Sequence, residues 1–486
     1  MNKLSMMDDT FLRLESRRQP LHVGMLMLFE PPAGAPGNFA AQLAEKLRRS
    51  TRAAPPFNWR LVRRNGLHYW REDSDFDLAH HFVHLALPAP GRIRELLAMV
   101  SRLHGGHLDR AYPLWRIYLI EGIEDGRIAV YVKIHHAVVD GVAGIRLLVK
   151  CMATSVEESL GLPPFWAVET MKSDTAQALP VPTPAAGGIA AMRSLAREGV
   201  KSVMPVLREL RRSIDDYRAG NPNLVMGGQA PRCLFNEQVS GTRRFAAQSY
   251  SMSRIKAVAR AFDATSNDVI LAMCGGALRR YLAEVDTLPD APLIAGVPVS
   301  VRRRGSRAAG NEVAFTLTHL ATNLEDPRQR LVAIKDCMDY NKERMQKLSP
   351  GQLTAYAATM LMPGALNSLL RRNPDKTLGN VVISHVPGPR QDMYWQGARL
   401  SGLYPLSLII DGGALNITVV SRRDVVDFGL IACRKTVPRV QRLLDYLEDG
   451  LAELEGTIKP VSGARTGGST DRKARATRPG AGRRTG

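Results

Sequence analysis

The chain has 486 residues, 45% of them hydrophobic and 23% charged, with a formal net charge of +20. That length exceeds a single hydrophobic core, and the composition excludes a chain that is disordered throughout. The basic balance favours anionic partners: phosphate-bearing substrates, lipid headgroups or nucleic acid. Cys151, Cys233, Cys274, Cys337 and Cys433 are scattered and form no CxxC pair, which argues against a zinc site or a disulfide scaffold and fits a reducing cytoplasm. The opening residues carry Asp8, Asp9 and Glu15 and do not read as a signal peptide. No apolar run approaches the ~20 residues of a spanning helix, so membrane contact is expected to be peripheral.

Taken in order, 4–15 has helix-spaced apolar positions at Leu4, Met7, Phe11 and Leu14. Residues 20–29 alternate as a strand, with Leu21, Val23, Met25 and Met27 on one side. Residues 40–47 read as a helix, and 59–70 as short strands about an Asn65-Gly66 turn. Residues 93–108 are expected to be helical and 117–120 a strand, after which Asp125-Gly126 turns into a further strand, 127–134. There Ile128, Val130, Val132 and Ile134 alternate with Ala129, Tyr131 and Lys133. Continuing that alternation puts His136 on the apolar face and His135 on the opposite one. Asp140 and Gly141 break the strand, and 142–152 is expected to be helical.

A Pro-, Ala- and Gly-rich stretch, 179–188, reads as a linker. It leads into a basic amphipathic helix, 189–218, with Leu207, Leu210 and Ile214 among its apolar positions and Pro205 inside it. Such a helix either lies on an anionic membrane or packs on the protein with a solvated basic face. In the second half, helices are expected at 252–262, 267–282 and 439–454, and strands at 293–302, 314–321, 380–385, 414–421 and 426–433. The tail 459–486 has eight bases against one acid, Asp471, and almost no apolar residue, so disorder is expected. The chain thus divides into a first unit (1–165), a linker with the basic helix (166–238), a second unit (239–456) and a basic tail (457–486). No nucleic-acid-binding signature accompanies the positive charge.

His135-His136-x-x-x-Asp140-Gly141 is the stretch that carries chemistry. Adjacent strand residues face opposite ways, which disfavours a shared metal ion. No G-x-S-x-G elbow is present to support a Ser-His-Asp hydrolase. A third chemistry is general-base catalysis of acyl transfer: a neutral imidazole takes the proton of an acceptor hydroxyl that attacks a thioester. Two satisfied core histidines remain the purely structural alternative.

The same stretch matches the HHxxxDG signature of the CoA-dependent acyltransferases, the chloramphenicol acetyltransferase-like superfamily. The wider chain resembles its bacterial wax ester synthase/acyl-CoA:diacylglycerol acyltransferase family. The matching stretches are LSMMDDTF at 4–11, PLHVG at 20–24, Pro113-Leu114-Trp115, Asn267-Asp268, PVSVR at 298–302, Gly310-Asn311-Glu312, SHVPGP at 384–389 and Asp411-Gly412. His385 stands where the family usually has asparagine.

The resemblance implies an α/β fold of two lobes with a channel between them, and O-acyl transfer from acyl-CoA to diacylglycerol, or to a long-chain alcohol to give wax ester. A condensation-type reaction on another acceptor is a further alternative. It implies His136 as general base, His135 and Asp140 as orienting groups, and Gly141 as the residue that leaves room in the channel. Asn267 is a candidate for substrate contact, though capping its helix is the better expectation. Arg302, with Arg303 and Arg304, is a candidate for the CoA phosphates. No cofactor or metal is expected, since acyl-CoA is a substrate. The expected location is cytoplasmic, at the inner membrane face or on lipid droplets.

Overall fold

The computed structural model describes residues 2–139, 141–168, 200–300, 313–370 and 376–458. In the first half the strands are β1 (Asn2–Lys3), β2 (His22–Glu30), β3 (Trp59–Arg64), β4 (Leu67–Glu72), β5 (Phe82–Ala86), β6 (Trp115–Glu121) and β7 (Ile128–His135). The helices that bear on the site are α1 (Met6–Leu14), α2 (Phe39–Arg48), α3 (Leu78–His81), α4 (Ile93–Gly105) and α5 (Gly141–Lys150). The second half adds β8 (Ala230–Pro231), β9 (Arg243–Ser251), β10 (Ile294–Ser300), β11 (Val313–His319), β12 (Lys376–Thr377), β13 (Val381–Pro387), β14 (Tyr394–Trp395), β15 (Ala398–Leu406), β16 (Leu415–Arg422) and β17 (Val425–Cys433).

Two six-stranded mixed sheets, each with its helices, make the two lobes, as expected. The first has the order β14-β15-β2-β7-β6-β5 and the second β11-β10-β13-β16-β17-β9. Strands β14 and β15 come from the second half of the chain, yet β15 runs antiparallel to β2 and extends the first sheet. The run 239–456 therefore contributes to both sheets. The segment 169–199 and the tail 459–486 lie outside the described residues.

Strand β7 is central, and all eight of its residues are buried. Ile128, Val130, Val132 and Ile134 join the core of the first lobe. Ala129 and Tyr131 join the core that continues into the second lobe. The alternation read from the sequence holds, but both faces are covered, so Lys133 is buried at 2% exposure. Its ammonium donates to the carbonyls of Leu103 and Gly106 at the C-terminal end of α4, where helix carbonyls lack intrahelical partners. Burial, and then Arg116, push the Lys133 pKa down to about 7.

The Asn65-Gly66 turn forms as expected, both residues having positive φ (50° and 77°). In α1 the buried positions are Phe11 and Leu12, while Leu14 is 48% exposed. Leu4 and Phe11 are buried as expected, and at the end of the stripe Leu12 takes the buried place expected of Leu14. The sequence reading leaves β9, β15 and the helices Pro327–Met345 and Pro350–Leu370 unassigned. In β15, Gly402 and Pro405 interrupt the apolar alternation, and its register against β2 shifts between Leu400 and Gly402.

The lobes meet where β15 passes over β17. A Cβ on Gly429 would lie 1.8 Å from the Pro405 carbonyl oxygen, so only glycine admits this approach. Beside it Asp427 is fully buried and pairs with Arg422 Nε at 2.6 Å. The same carboxylate accepts from Leu403 N at 3.0 Å and from Ser249 Oγ at 2.5 Å. One carboxylate thus ties a strand of the first sheet to two strands of the second. Asp427→Ala strands Arg422 without its partner and is expected to cost about 3–5 kcal/mol in chemical denaturation; an unchanged midpoint would refute this role.

Candidate active site

Strand β7 ends at His135, and His136, Ala137, Val138 and Val139 carry the chain toward α5. His135 is held from three sides. Its amide donates to Leu114 O at 2.9 Å, and its carbonyl accepts from Val138 N at 2.9 Å. Its ring Nδ1 accepts from Ala137 N at 3.1 Å. An amide N–H can only donate, so Nδ1 offers a lone pair and a neutral ring carries its proton on Nε2. The side chain is 1% exposed, and Nε2 faces Glu15 Oε1 at 3.6 Å, beyond hydrogen-bond length. Across the β2–β7 pairing His135 lies opposite His22. This is the Lys133 side of the strand, as the alternation predicts.

His136 has left the strand and is half-buried. Its amide donates to Leu21 O at 3.0 Å. Its ring stacks on Phe11, with centroids 4.4 Å apart and 27° between planes. One residue along α1, Leu12 packs with Leu114 and Ala137 in a small separate core. Asp140 and Arg302 lie outside the described residues, and Gly141 is the first residue of α5.

Glu15 caps the C-terminus of α1. Its carboxylate accepts from Leu21 N at 3.2 Å and from Arg110 Nη2 and Nε at 2.9 and 3.3 Å. His107 Nδ1 stands 3.6 Å away. Burial alone would raise the Glu15 pKa, but His135, Arg110 and the Leu21 amide together hold it down to about 2. The sequence shows Phe11 as an apolar position of the opening helix and Glu15 as one of its acids, and marks neither as a site residue. Both belong to a segment some 120 residues from the histidines; Phe11 closes the opening motif at 4–11 and Glu15 lies beyond it.

An apolar space of about 560 Å³, its opening to solvent included, is lined by Val139 of this turn and by neither histidine. Val132, Ile134, Val139, Ile145, Leu148 and Leu406 line it from the first lobe, and Val386 and Thr418 from the second. A second, more enclosed space of about 410 Å³ lies deeper in the first lobe and shares the walls Val132 and Leu148.

The remaining motif residues are spread out. Trp115 of the PLW motif is 1% exposed, donates from Nε1 to Phe57 O at 2.7 Å, and stacks on His81. That is a packing role. Asn267 is half-buried in the first turn of the helix Ser266–Val285, but it is not the cap. Thr265 is: its hydroxyl accepts from Asp268 N at 3.3 Å, while Asp268 Oδ2 accepts from Thr265 N at 2.8 Å. A threonine followed by an acid three residues later makes a reciprocal box that an asparagine two positions inside the helix cannot. His385 on β13 bonds Ser421 Oγ, and burial pushes its pKa down to about 4. Among the described residues no three His, Cys, Asp or Glu side chains gather as a metal site. No described helix is long and apolar enough to cross a membrane.

Residues 4–270 match the wax ester synthase/diacylglycerol acyltransferase catalytic domain, and 309–455 match the C-terminal domain of the same enzymes. The chain is 44% identical over 459 residues to the O-acyltransferase WSD of Acinetobacter baylyi, covering 94% of this chain and 98% of that one. It is 41% identical over 463 residues to a probable diacylglycerol O-acyltransferase of Mycobacterium tuberculosis, covering 93% and 98%. Among solved structures, the wax ester synthase/diacylglycerol acyltransferase of Marinobacter aquaeolei superposes with a TM-score of 0.74 at 41% identity, covering 93% of this chain and 99% of that one. The starter condensation domain of rhizomide synthetase shares the fold, with a TM-score of 0.54 at 13% identity and 96% of each chain covered.

The depressed Glu15 pKa links stability to pH. Because the folded value of about 2 lies below the usual 4.5, the contribution is complete above pH ~4.5 and is lost as pH falls toward 2. Its size is on the order of 3 kcal/mol. Urea unfolding at pH 5 and pH 3 should show a larger loss for the native chain than for Glu15→Gln; equal losses would contradict the assignment.

Proposed function

The chain belongs to the wax ester synthase/diacylglycerol acyltransferase family, and from that premise we propose that it moves a fatty acyl group from acyl-CoA to the hydroxyl of diacylglycerol, giving triacylglycerol. A long-chain alcohol, giving wax ester, is the alternative acceptor. The observation that carries this reading is a rigidly held histidine turn at the edge of an apolar cavity walled by both lobes.

His136 is the base. Its neutral imidazole takes the acceptor's hydroxyl proton as the oxygen attacks the thioester carbonyl. The C–O bond forms, the C–S bond breaks, and the imidazolium returns the proton to the departing thiolate. No acyl-enzyme intermediate is required. Asp140 is assigned to holding the turn, Gly141 to leaving room for substrate, and Arg302 with its neighbours to the CoA phosphates. Those assignments rest on the sequence motifs.

The acceptor reaches the enzyme from an anionic lipid surface. The helix Val200–Arg218 docks on the body through buried Val206 and Ser213 and through Glu209, which pairs with Arg344 at 2.9 Å. Its other faces expose Met204 (52%), Leu207 (48%), Ile214 (45%) and Tyr217 (60%) beside Arg208 and Arg211. Exposed apolar side chains flanked by arginine suit the headgroup boundary better than water.

Two tests follow. With palmitoyl-CoA, and diacylglycerol or hexadecanol as acceptor, His136→Ala is expected to abolish both thiol release and lipid product while the circular dichroism spectrum is retained; full turnover by the folded variant would end the mechanism. Leu207→Glu/Ile214→Glu should release the protein from anionic phosphatidylglycerol vesicles in co-sedimentation, whereas binding equal to the native chain would remove the helix from the docking surface.

A further inference from the structure

The residues just before β2 bracket the catalytic turn. Phe11 lies on the His136 ring, Leu12 packs on Ala137, and Glu15 faces His135. The carboxylate reaches the turn by two routes. One runs through Leu21, whose amide donates to Glu15 and whose carbonyl accepts from the His136 amide. The other runs through the His135 ring, whose Nδ1 accepts from the Ala137 amide. With Nδ1 so engaged, Nε2 is the only ring nitrogen left to carry a proton. It is buried with no hydrogen-bond partner, and Glu15 Oε1 stands 3.6 Å from it. A buried donor without a partner is costly, and what faces it is Oε1 of a carboxylate whose other oxygen, Oε2, is held by Arg110. Contacts of this kind are often long before substrate binds and tighten afterwards.

We propose that Glu15 is a positioning residue for His136, acting through His135; this rests on the reading of His136 as the base. The carboxylate fixes the His135 ring so that Nδ1 stays on the Ala137 amide. That bond keeps the turn closed and places the next imidazole against the acceptor. Glu15 touches neither substrate nor the reacting atoms. Losing its charge lets the His135 ring turn, opens the Ala137 bond, and displaces His136 by a fraction of an ångström to an ångström, a scale on which rates fall about tenfold to a hundredfold.

The test is a double-mutant cycle in the full chain, using palmitoyl-CoA with diacylglycerol and reading kcat and KM separately. Glu15→Gln removes the charge at constant shape. His135→Asn leaves an amide oxygen near the place of Nδ1 but removes the ring that faces Glu15, so nothing holds that oxygen on the Ala137 amide. Each single change is expected to lower kcat about tenfold to a hundredfold, with KM for palmitoyl-CoA within about twofold. The double variant is expected to be no slower than the slower single, because both act on one contact. A Glu15→Gln enzyme with native kcat, or a double variant slowed by the product of the two single effects, overturns the proposal. If Glu15→Gln does not fold, His135→Asn probes the same contact from the other side, and native kcat there overturns it equally. His136→Ala measured in parallel separates the two claims. Full turnover by His136→Ala removes the base and this proposal together, whereas an inactive His136→Ala beside a native-rate Glu15→Gln removes this proposal alone.

Discussion

The site depends on one short turn, and the turn depends on hydrogen bonds that His135 makes with both its backbone and its ring. Strand β7 supplies the anchor. Because it is central and buried on both faces, its end cannot shift without disturbing two cores. The amide of His135 is fixed to the PLW segment and its ring to Ala137. The first histidine is therefore structural in a definite sense: its lone pair closes the turn that presents the second. Arrangements of this type hold a reactive group to within about 0.5 Å of its productive place.

A second constraint is the exchange of β15 into the first sheet. A strand that pairs with β2 while lying against β17 makes the two lobes one structure at that edge, and Gly429 and Asp427 are the local conditions for it. The cavity follows from the same crossing. Leu406 at the end of β15 and Thr418 on β16 close the space that Val139 and α5 open. Residues distant in sequence thus form one wall set, and neither half of the chain encloses the cavity alone.

Much of this was legible in the sequence for physical reasons that differ from element to element. The period-two pattern of 127–134 identified β7 and its two faces. Asn65-Gly66 announced its hairpin, since few pairs tolerate two positive φ angles. The ordered motifs pointed to the family and the fold. What the sequence did not reveal was long-range placement. Glu15 looks like one more acid in an amphipathic opening, and only the packing of α1 on the turn brings it to His135. Strand β15 lacked a clean pattern because Gly402 and Pro405 serve the crossing rather than the pleat. Asn267 was expected to cap its helix, whereas Thr265 and Asp268 do so together, and that reciprocal box is visible only when both residues are considered. The apolar positions of the helix Val200–Arg218 were legible, but which of them face outward was decided by the buried Glu209–Arg344 pair on its docked side.

The apolar lining also bears on which acceptor wins. A base that activates a hydroxyl does not by itself distinguish an alcohol from water, and water at ~55 M far exceeds any lipid alcohol in bulk. Discrimination must come from the surroundings of the thioester. In a cavity lined by valine, isoleucine and leucine from both lobes, a water molecule finds few of the polar partners that make its burial tolerable. A fatty chain gains roughly 0.8 kcal/mol for each methylene it buries. Roughly three or four methylenes therefore offset about two powers of ten of the concentration advantage of water, and the hydroxyl they carry arrives already oriented. With His136 as the proposed base, the selectivity for transfer over hydrolysis belongs to the walls and the histidine supplies only the proton traffic.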